Sequence, residues 1–211
     1  MTVTRPNKLC LKRATMQGTL LVEIILSNPK SSPYNQETAA FGSSVYVVWL
    51  EKVPNGPYHV MLASSTDRDI TFAEPKVLSE DATVQTFPKV SAFDEHVYVS
   101  WNVDDEGPMT DGGVFFLASA DNGATFSNVT NLSWDEKDFG VAQVASYADR
   151  VYVIWGGSTS NKVESLFLVS SEDNGKTFDD LNVLDQTKLS NVRSPSNVEM
   201  IANGSDQLYI A

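Results

Sequence analysis

The chain has 211 residues, 42% apolar and 20% charged, a length for one domain or two small ones and a composition that excludes a disordered chain. Fifteen basic against 27 acidic side chains leave a net charge of −12, which argues against nucleic acid, whose phosphates call for a Lys/Arg surplus, and against docking on an anionic membrane. Cys10 is the one cysteine, and His59 and His96 are the two histidines. An intrachain disulfide and a cysteine-based zinc site are therefore excluded, and no apolar run approaches the ~20 residues of a spanning helix.

Residues 1–36 read either as unassigned or as a degraded partial repeat. Basic residues (Arg5, Lys8, Lys12, Arg13) precede an apolar stretch from Leu20 to Leu26, but Glu23 interrupts it and no small-residue cleavage site follows, so no export signal is read there. Codons compatible with Arg13–Val22, read two nucleotides later, can encode Ser-Asn-Asp-Ala-Gly-Asn-Thr-Phe-Gly, so an out-of-frame origin is a second account of the same stretch.

From residue 37 the chain repeats. Val-Tyr-Val-x-Trp occurs at 45–49, 97–101 and 151–155, and Leu208-Tyr209-Ile210-Ala211 is a worn fourth copy. Tyr46, Tyr98, Tyr152 and Tyr209 are spaced 52, 54 and 57 apart. A second motif runs in step: Ser119, Asp121, Gly123, Thr125 and Phe126 match Ser171, Asp173, Gly175, Thr177 and Phe178. A third copy keeps Ser65, Asp67, Thr71 and Phe72 but lacks the glycine. Two motifs in one register define a structural repeat.

Each period reads as four short strands. In the third they are expected near 141–147, 150–156, 164–171 and 178–184. Val151–Trp155 is β-branched and aromatic, and turn residues flank it (Ala148-Asp149 before, Gly156-Gly157 after). With no sustained helical period, the pattern is that of a β-propeller, one four-stranded blade per repeat. The expected fold is all-β, an incomplete propeller of about three and a half blades, either an open arc or a fragment: blades at 37–78, 87–132 and 140–184 and a partial one at 197–211. An arc leaves apolar blade faces uncovered, so the isolated chain is expected to self-associate.

The S-x-D-x-G-x-T-F motif resembles the Asp-box (BNR) repeat of sialidase-like β-propellers, with two complete copies and one partial within 37–211. The resemblance implies that the box Asp, Ser, Thr, Gly and Phe residues staple the turn between third and fourth strands, on the face away from the ligand, and it implies an extracellular or cell-surface setting. The acceptor patterns Asn128–Thr130, Asn131–Ser133 and Asn203–Ser205 lean the same way. Sialidases of this kind grip the substrate carboxylate with three arginines and use a Tyr–Glu nucleophile and an Asp acid/base. Here Arg68 and Arg150 fall on the box face, Arg5 and Arg13 in the unassigned stretch, and Arg193 alone on the opposite, loop face; the Phe-Arg-Ile-Pro motif is absent. One arginine cannot form the cluster.

The loop face is expected from 27–36, 51–57, 79–86, 102–112, 133–140, 156–163 and 185–196. Its acidic residues form a solvated rim or, through Asp104, Asp105 and Asp111, a Ca²⁺ site of hard oxygen ligands. No other cofactor is indicated. The expectation is a non-catalytic module recognising a glycan or protein, with Arg193 as candidate ligand contact. The alternatives are a fragment of an exo-α-sialidase or related glycoside hydrolase, and a structural repeat of a larger surface protein.

Overall fold

The computed structural model describes residues 8–14, 20–52, 56–68, 71–79, 85–103, 112–133, 140–158, 164–184, 199–203 and 207–210. All regular structure among them is β. Three four-stranded antiparallel sheets follow one another along the chain. The first holds β3 (Tyr34–Phe41), β4 (Ser44–Lys52), β5 (Tyr58–Ser65) and β6 (Lys76–Val77). The second holds β7 (Gln85–Phe93), β8 (His96–Val103), β9 (Gly113–Ser119) and β10 (Thr130–Asn131). The third holds β11 (Gln143–Tyr147), β12 (Arg150–Ser158), β13 (Glu164–Ser171) and β14 (Asn182–Leu184). Each is a meander of strands in sequence order, and two-stranded sheets flank them: β1 (Cys10–Ala14) with β2 (Leu20–Ile25), and β15 (Met200–Ala202) with β16 (Leu208–Ile210). The chain is a partial β-propeller.

The second strand of each blade carries Val-Tyr-Val-x-Trp. In β4 the run from Tyr46 to Leu50 is wholly buried, with no apolar/polar alternation. A strand covered on one face alternates, whereas one sandwiched between neighbours is apolar throughout. That is the propeller's condition: one core joins the first and second blades (Tyr46, Val48 and Leu62 with Val99, Trp101 and Leu117), and another joins the second and third (Tyr98, Phe116 and Leu132 with Val153, Trp155 and Phe167). The first strands pack side by side, and their last residues form a ladder of tilted rings, Phe41 to Phe93 at 4.7 Å and Phe93 to Tyr147 at 5.1 Å between centroids.

The flanking sheets are half blades. Leu26 N donates to Leu9 O as Leu78 N does to Val60 O and Leu132 N to Val114 O. Leu9 N donates to Ser27 Oγ (2.9 Å) as Val60 N does to Ser79 Oγ (2.9 Å) and Val114 N to Ser133 Oγ (3.1 Å). The hairpin β1–β2 therefore occupies third- and fourth-strand positions, and Leu26 and Ile24 pack against Trp49 and Phe72 of the first blade. At the other end Ile201 pairs with Tyr209 as Ala39 does with Tyr46 and Ala145 with Tyr152. So β15 and β16 take first- and second-strand positions, and Met200 and Ile210 pack on Ile154 and Leu166 of the third blade.

Ser133, fully buried, accepts from Val114 N and donates to Asn131 Oδ1. The serine of the acceptor pattern at Asn131 thus serves a strand end. The short repeat Leu-Ser at 26–27, 78–79 and 132–133 marks three fourth-strand ends, and the third blade has Leu184-Asp185 in its place.

Two glycines of the same repeat position differ in their surroundings. Gly123 (φ 78°) and Gly175 (φ 76°) are both left-handed, but a Cβ on Gly175 would meet the Phe116 ring at 2.8 Å, whereas one on Gly123 would meet Leu62 Cδ2 at 3.4 Å. Gly123→Ala is expected to cost about 1 kcal/mol, the left-handed penalty alone, and Gly175→Ala about 2–4 kcal/mol because the ring must move. Denaturant melts of the two variants check the order; equal losses would contradict the described packing.

Candidate functional site

The three S-x-D turns connect third and fourth strands and share one hydrogen-bond plan. Asp121 Oδ1 accepts from Ser119 Oγ (2.7 Å) and Thr125 N (2.8 Å), and Oδ2 accepts from Thr125 Oγ1 (2.6 Å). Asp173 repeats this with Ser171 Oγ (2.8 Å), Thr177 N (2.9 Å) and Thr177 Oγ1 (2.6 Å). Asp67 does so with Ser65 Oγ (2.8 Å), Thr71 N (2.9 Å) and Thr71 Oγ1 (2.6 Å). Ser119 and Ser171 Oγ in turn accept from the N–H of Gly123 and Gly175, each at 2.9 Å. Hydrogen bonds to the ionised form, those of Thr125 and Thr177 foremost, hold the carboxyls of Asp121 and Asp173 down to about 2. With their oxygens occupied, these carboxylates are poorly suited to proton transfer at neutral pH. Phe72, Phe126 and Phe178 each drop between their own blade and the sheet before it, Phe178 edge-on to Phe116 at 4.9 Å.

A residue the sequence did not single out does more. Asn122 and Asn174 follow the box aspartates in the left-handed region (φ 57° and 62°). Their N–H groups donate to Glu95 O (2.8 Å) and Asp149 O (2.9 Å) in the first-to-second-strand turn of their own blade. Their Oδ1 atoms reach the preceding blade: Asn122 accepts from Tyr46 OH (3.0 Å) and Ser44 Oγ (3.2 Å), and Asn174 accepts from Tyr98 OH (3.1 Å). Burial, the larger cause for both tyrosines, raises the hydroxyls above their ordinary range, with the Asp149 charge adding to this at Tyr98, so both stay protonated donors. The signal was present as Asp-Asn-Gly in both complete boxes against Asp-Arg-Asp in the partial one.

Of the remaining candidates, Arg193, Asp104, Asp105 and Asp111 lie outside the described residues. Among the described residues no group of three or more His, Cys, Asp or Glu could hold a metal ion. Arg68 N donates to Ser43 O, and Arg150 Nη1 pairs with Glu172 Oε1 at 2.9 Å. Arg68 therefore stands within the partial box, bonded to the first-to-second-strand turn of its blade, and Arg150 stands at such a turn beside the third box.

At the opposite end of the first two blades a built surface does appear. β3 and β7 each carry one extra residue where they enter the sheet: pairing runs from Tyr34↔Leu50 to Glu37↔Val48, and from Thr86↔Asn102 to Lys89↔Ser100. The bulges hold Asn35 (φ 51°) and Phe87 (φ 47°) in the left-handed region, and Phe87 is 44% exposed. An aromatic residue at positive φ is strained, and bulges of this kind re-aim side chains at barrel rims and near binding sites. Below them Lys89 pairs with Glu37 across the two first strands. Beside them Tyr34 meets Tyr58 edge-on at 4.8 Å, and Lys52 Nζ lies 5.3 Å from the Tyr58 ring. Aromatic faces with a few fixed polar groups are what small-molecule and sugar sites require.

No family model and no curated protein matches the sequence. Solved structures do match the fold. A sialidase from Trypanosoma rangeli in complex with sialic acid superposes with a TM-score of 0.52 at 12% identity, over 83% of this chain and 33% of that one. A GH32 β-fructofuranosidase from Bombyx mori gives 0.50 at 16% identity, over 76% of this chain and 36% of that one. The chain is thus similar in fold to the propellers of glycoside hydrolases and spans about a third of their length.

Two outcomes follow for the boxes. In a double-mutant cycle, Tyr98→Phe and Asn174→Ala should each destabilise and should couple by about 1 kcal/mol, the net worth of one partly buried hydrogen bond; additivity would contradict the clamp. Because the Asp121 and Asp173 carboxyls are depressed, their stabilisation is complete above the unfolded carboxylate range near 4 and is lost as pH falls towards 2. The Tm should drop across that window, with a shallower slope in the Asp121→Asn/Asp173→Asn double variant.

Proposed function

We propose that the chain is a sialidase-like propeller module of the Asp-box type, acting outside the cell or at its surface, that recognises a glycan through its loop face without cleaving it. One observation carries the reading: Arg68 and Arg150 lie in turns on the box face, while the loop-face end of the first two blades presents Tyr34, Tyr58, Lys52 and the bulged Phe87. Among the described residues of this surface there is no arginine. Aromatic rings offer the apolar faces of a sugar a flat partner, and Lys52 and Lys89 supply donors. A protein ligand would use the same face.

A second reading, a piece of a glycoside hydrolase whose other catalytic groups lie outside this chain, is favoured by one fact: the chain spans a third of the sialidase it superposes on. A structural repeat of a larger surface protein is the third.

The chain is expected to show no turnover of a fluorogenic sialoside above a protein-free control. Turnover that vanishes in Arg193→Ala would favour the hydrolase. On an immobilised glycan panel, Tyr58→Ala should weaken binding about tenfold, the loss of roughly 1.4 kcal/mol of stacking, and Asp173→Asn should leave it unchanged. The reverse pattern would move the site to the box face. The reading requires no ion: calorimetry is expected to show no stoichiometric Ca²⁺ uptake, and a saturable isotherm weakened by Asp105→Asn would place calcium in the loop of Asp104, Asp105 and Asp111.

A further inference from the structure

The first blade departs from the repeat at two neighbouring positions, and a cavity lies where they meet. On the face turned towards the hairpin β1–β2, Trp49 pairs across the sheet with Met61. In the other blades Trp101 pairs with Phe115 and Trp155 with Phe167, the rings stacked at 6.1 and 5.9 Å between centroids. Two residues after the tryptophan stands Glu51, where the other blades have Val103 and Gly157. Glu51 Oε2 accepts from Trp49 Nε1 at 2.8 Å. The fold does not require that acceptor, since Trp155 Nε1, on an equally buried ring, has no hydrogen-bond partner among the described residues. Between this face and the hairpin is a cavity of about 580 Å³, within the roughly 300–1,000 Å³ of small-molecule sites. Ile24, Leu26, Met61, Phe72 and Pro75 give it apolar walls, and the charged residues among those described as lining it are Glu51 and Glu74, both acidic. Neither is ion-paired among the described residues. The strand β1 contributes none of the described lining residues, so the cavity is bounded by β2, the segment after it and the first blade. Tyr34 and Tyr58 pack against the core on the blade's other face, so the cavity is separate from the surface proposed to meet a glycan.

We propose that this cavity binds a small organic cation, a primary ammonium carried on an aromatic body. The charge follows from complementarity. Two carboxylates line the cavity without a cation of the protein's own beside them, and a net charge of −12 on the chain adds to the attraction for a positive ligand and the repulsion of a negative one. Glu51 is held in place by the Trp49 indole, which engages Oε2 and leaves Oε1 for a charge-assisted hydrogen bond from an ammonium. An acceptor already fixed in position loses little freedom when the ligand arrives. The body of the ligand follows from the walls. Methionine at 61 stands where the other blades place a phenyl ring against the tryptophan, so a ring brought by the ligand takes the room that the repeat elsewhere fills from within the chain. The thioether of Met61 and the ring of Phe72 are suited to such a partner, sulfur at a ring edge and ring against ring.

The full chain is titrated with phenethylammonium chloride while the Trp49 Nε1–H resonance, assigned by its loss in Trp49→Phe, is followed by NMR. A saturable shift is expected, with a Kd on the order of 1 mM or tighter. Phenethyl alcohol and hydrocinnamate, the neutral and anionic counterparts, should bind weaker by about tenfold or more. Glu51→Gln, whose amide oxygen keeps an acceptor for Trp49, should weaken the ammonium about tenfold and leave the alcohol unchanged. Met61→Phe, which restores the ring of the other blades, should abolish binding without lowering the melting temperature. Nα-acetyl-lysine amide, an ammonium on a peptide stem, should bind more weakly than the aromatic amine; tighter binding would make the occupant a lysine of a partner protein and overturn the small-molecule assignment. The absence of a saturable shift overturns the inference. Equal affinity for the three phenethyl probes overturns the role of the carboxylates, and a folded Met61→Phe variant that binds as the parent does overturns the place of the site.

Discussion

A tyrosine hydroxyl on one blade donating to an asparagine oxygen on the next is the contact on which the arrangement of blades depends. Apolar packing between sheets is strong but non-directional; it tolerates sliding by a residue or rotation by several degrees. The bond from Tyr46 to Asn122, repeated from Tyr98 to Asn174, fixes where one sheet stands against its neighbour. It forms only because the asparagine sits in the left-handed region, and the turn that holds it there is stapled by an aspartate with both oxygens engaged. A local hydrogen-bond network thus sets long-range geometry. Where the series has no following box among the described residues, at Tyr152, the ring is only partly buried.

This division of labour separates the two ends of the blades. On the box face the carboxylates are saturated, the asparagines are committed to the neighbouring sheet, and Lys76 Nζ caps the carbonyls of Gly123 and Ala124. That face is a scaffold whose polar groups are spent on the fold. At the other end the first strands of the first two blades accept an extra residue each, with strain at Asn35 and Phe87, and Lys89 and Glu37 bridge them. Strain persists where the surrounding sheet over-determines the backbone, and here it lies where connecting segments, free of the box network, can vary. A rigid frame with a variable rim lets one propeller host different ligands.

How much of this was legible in the sequence differs element by element. Val-Tyr-Val-x-Trp announced the second strands because sandwiched strands must be apolar on both faces, a demand on residue type. Ser-x-Asp-x-Gly-x-Thr-Phe announced the turns because a short-range network needs its donors at fixed spacing. The bulges left no such trace: one extra residue between Tyr34 and Glu37 looks like any other position, and its pairing partner is in another strand. The hairpin of residues 10–25 was legible only as a degraded partial repeat. Its box residues are missing, and what places it is the recurrence of Leu-Ser after the fourth strand, a pair too short to stand out until the bonds from Leu9, Val60 and Val114 to Ser27, Ser79 and Ser133 are seen together.

By itself, then, the sequence determined the class of fold, the repeat length, the strands at the centre of each blade and the turns that close them, since each depends on residues within one period. Tertiary structure decided which asparagine binds which tyrosine, where the first strands bulge, and which strand positions the two terminal hairpins take. These are relations between residues some fifty positions apart or more, with Tyr46 and Asn122 separated by 76. Local pattern cannot encode such a pairing, because the energy that selects it exists only once the sheets have packed and water has left the space between them.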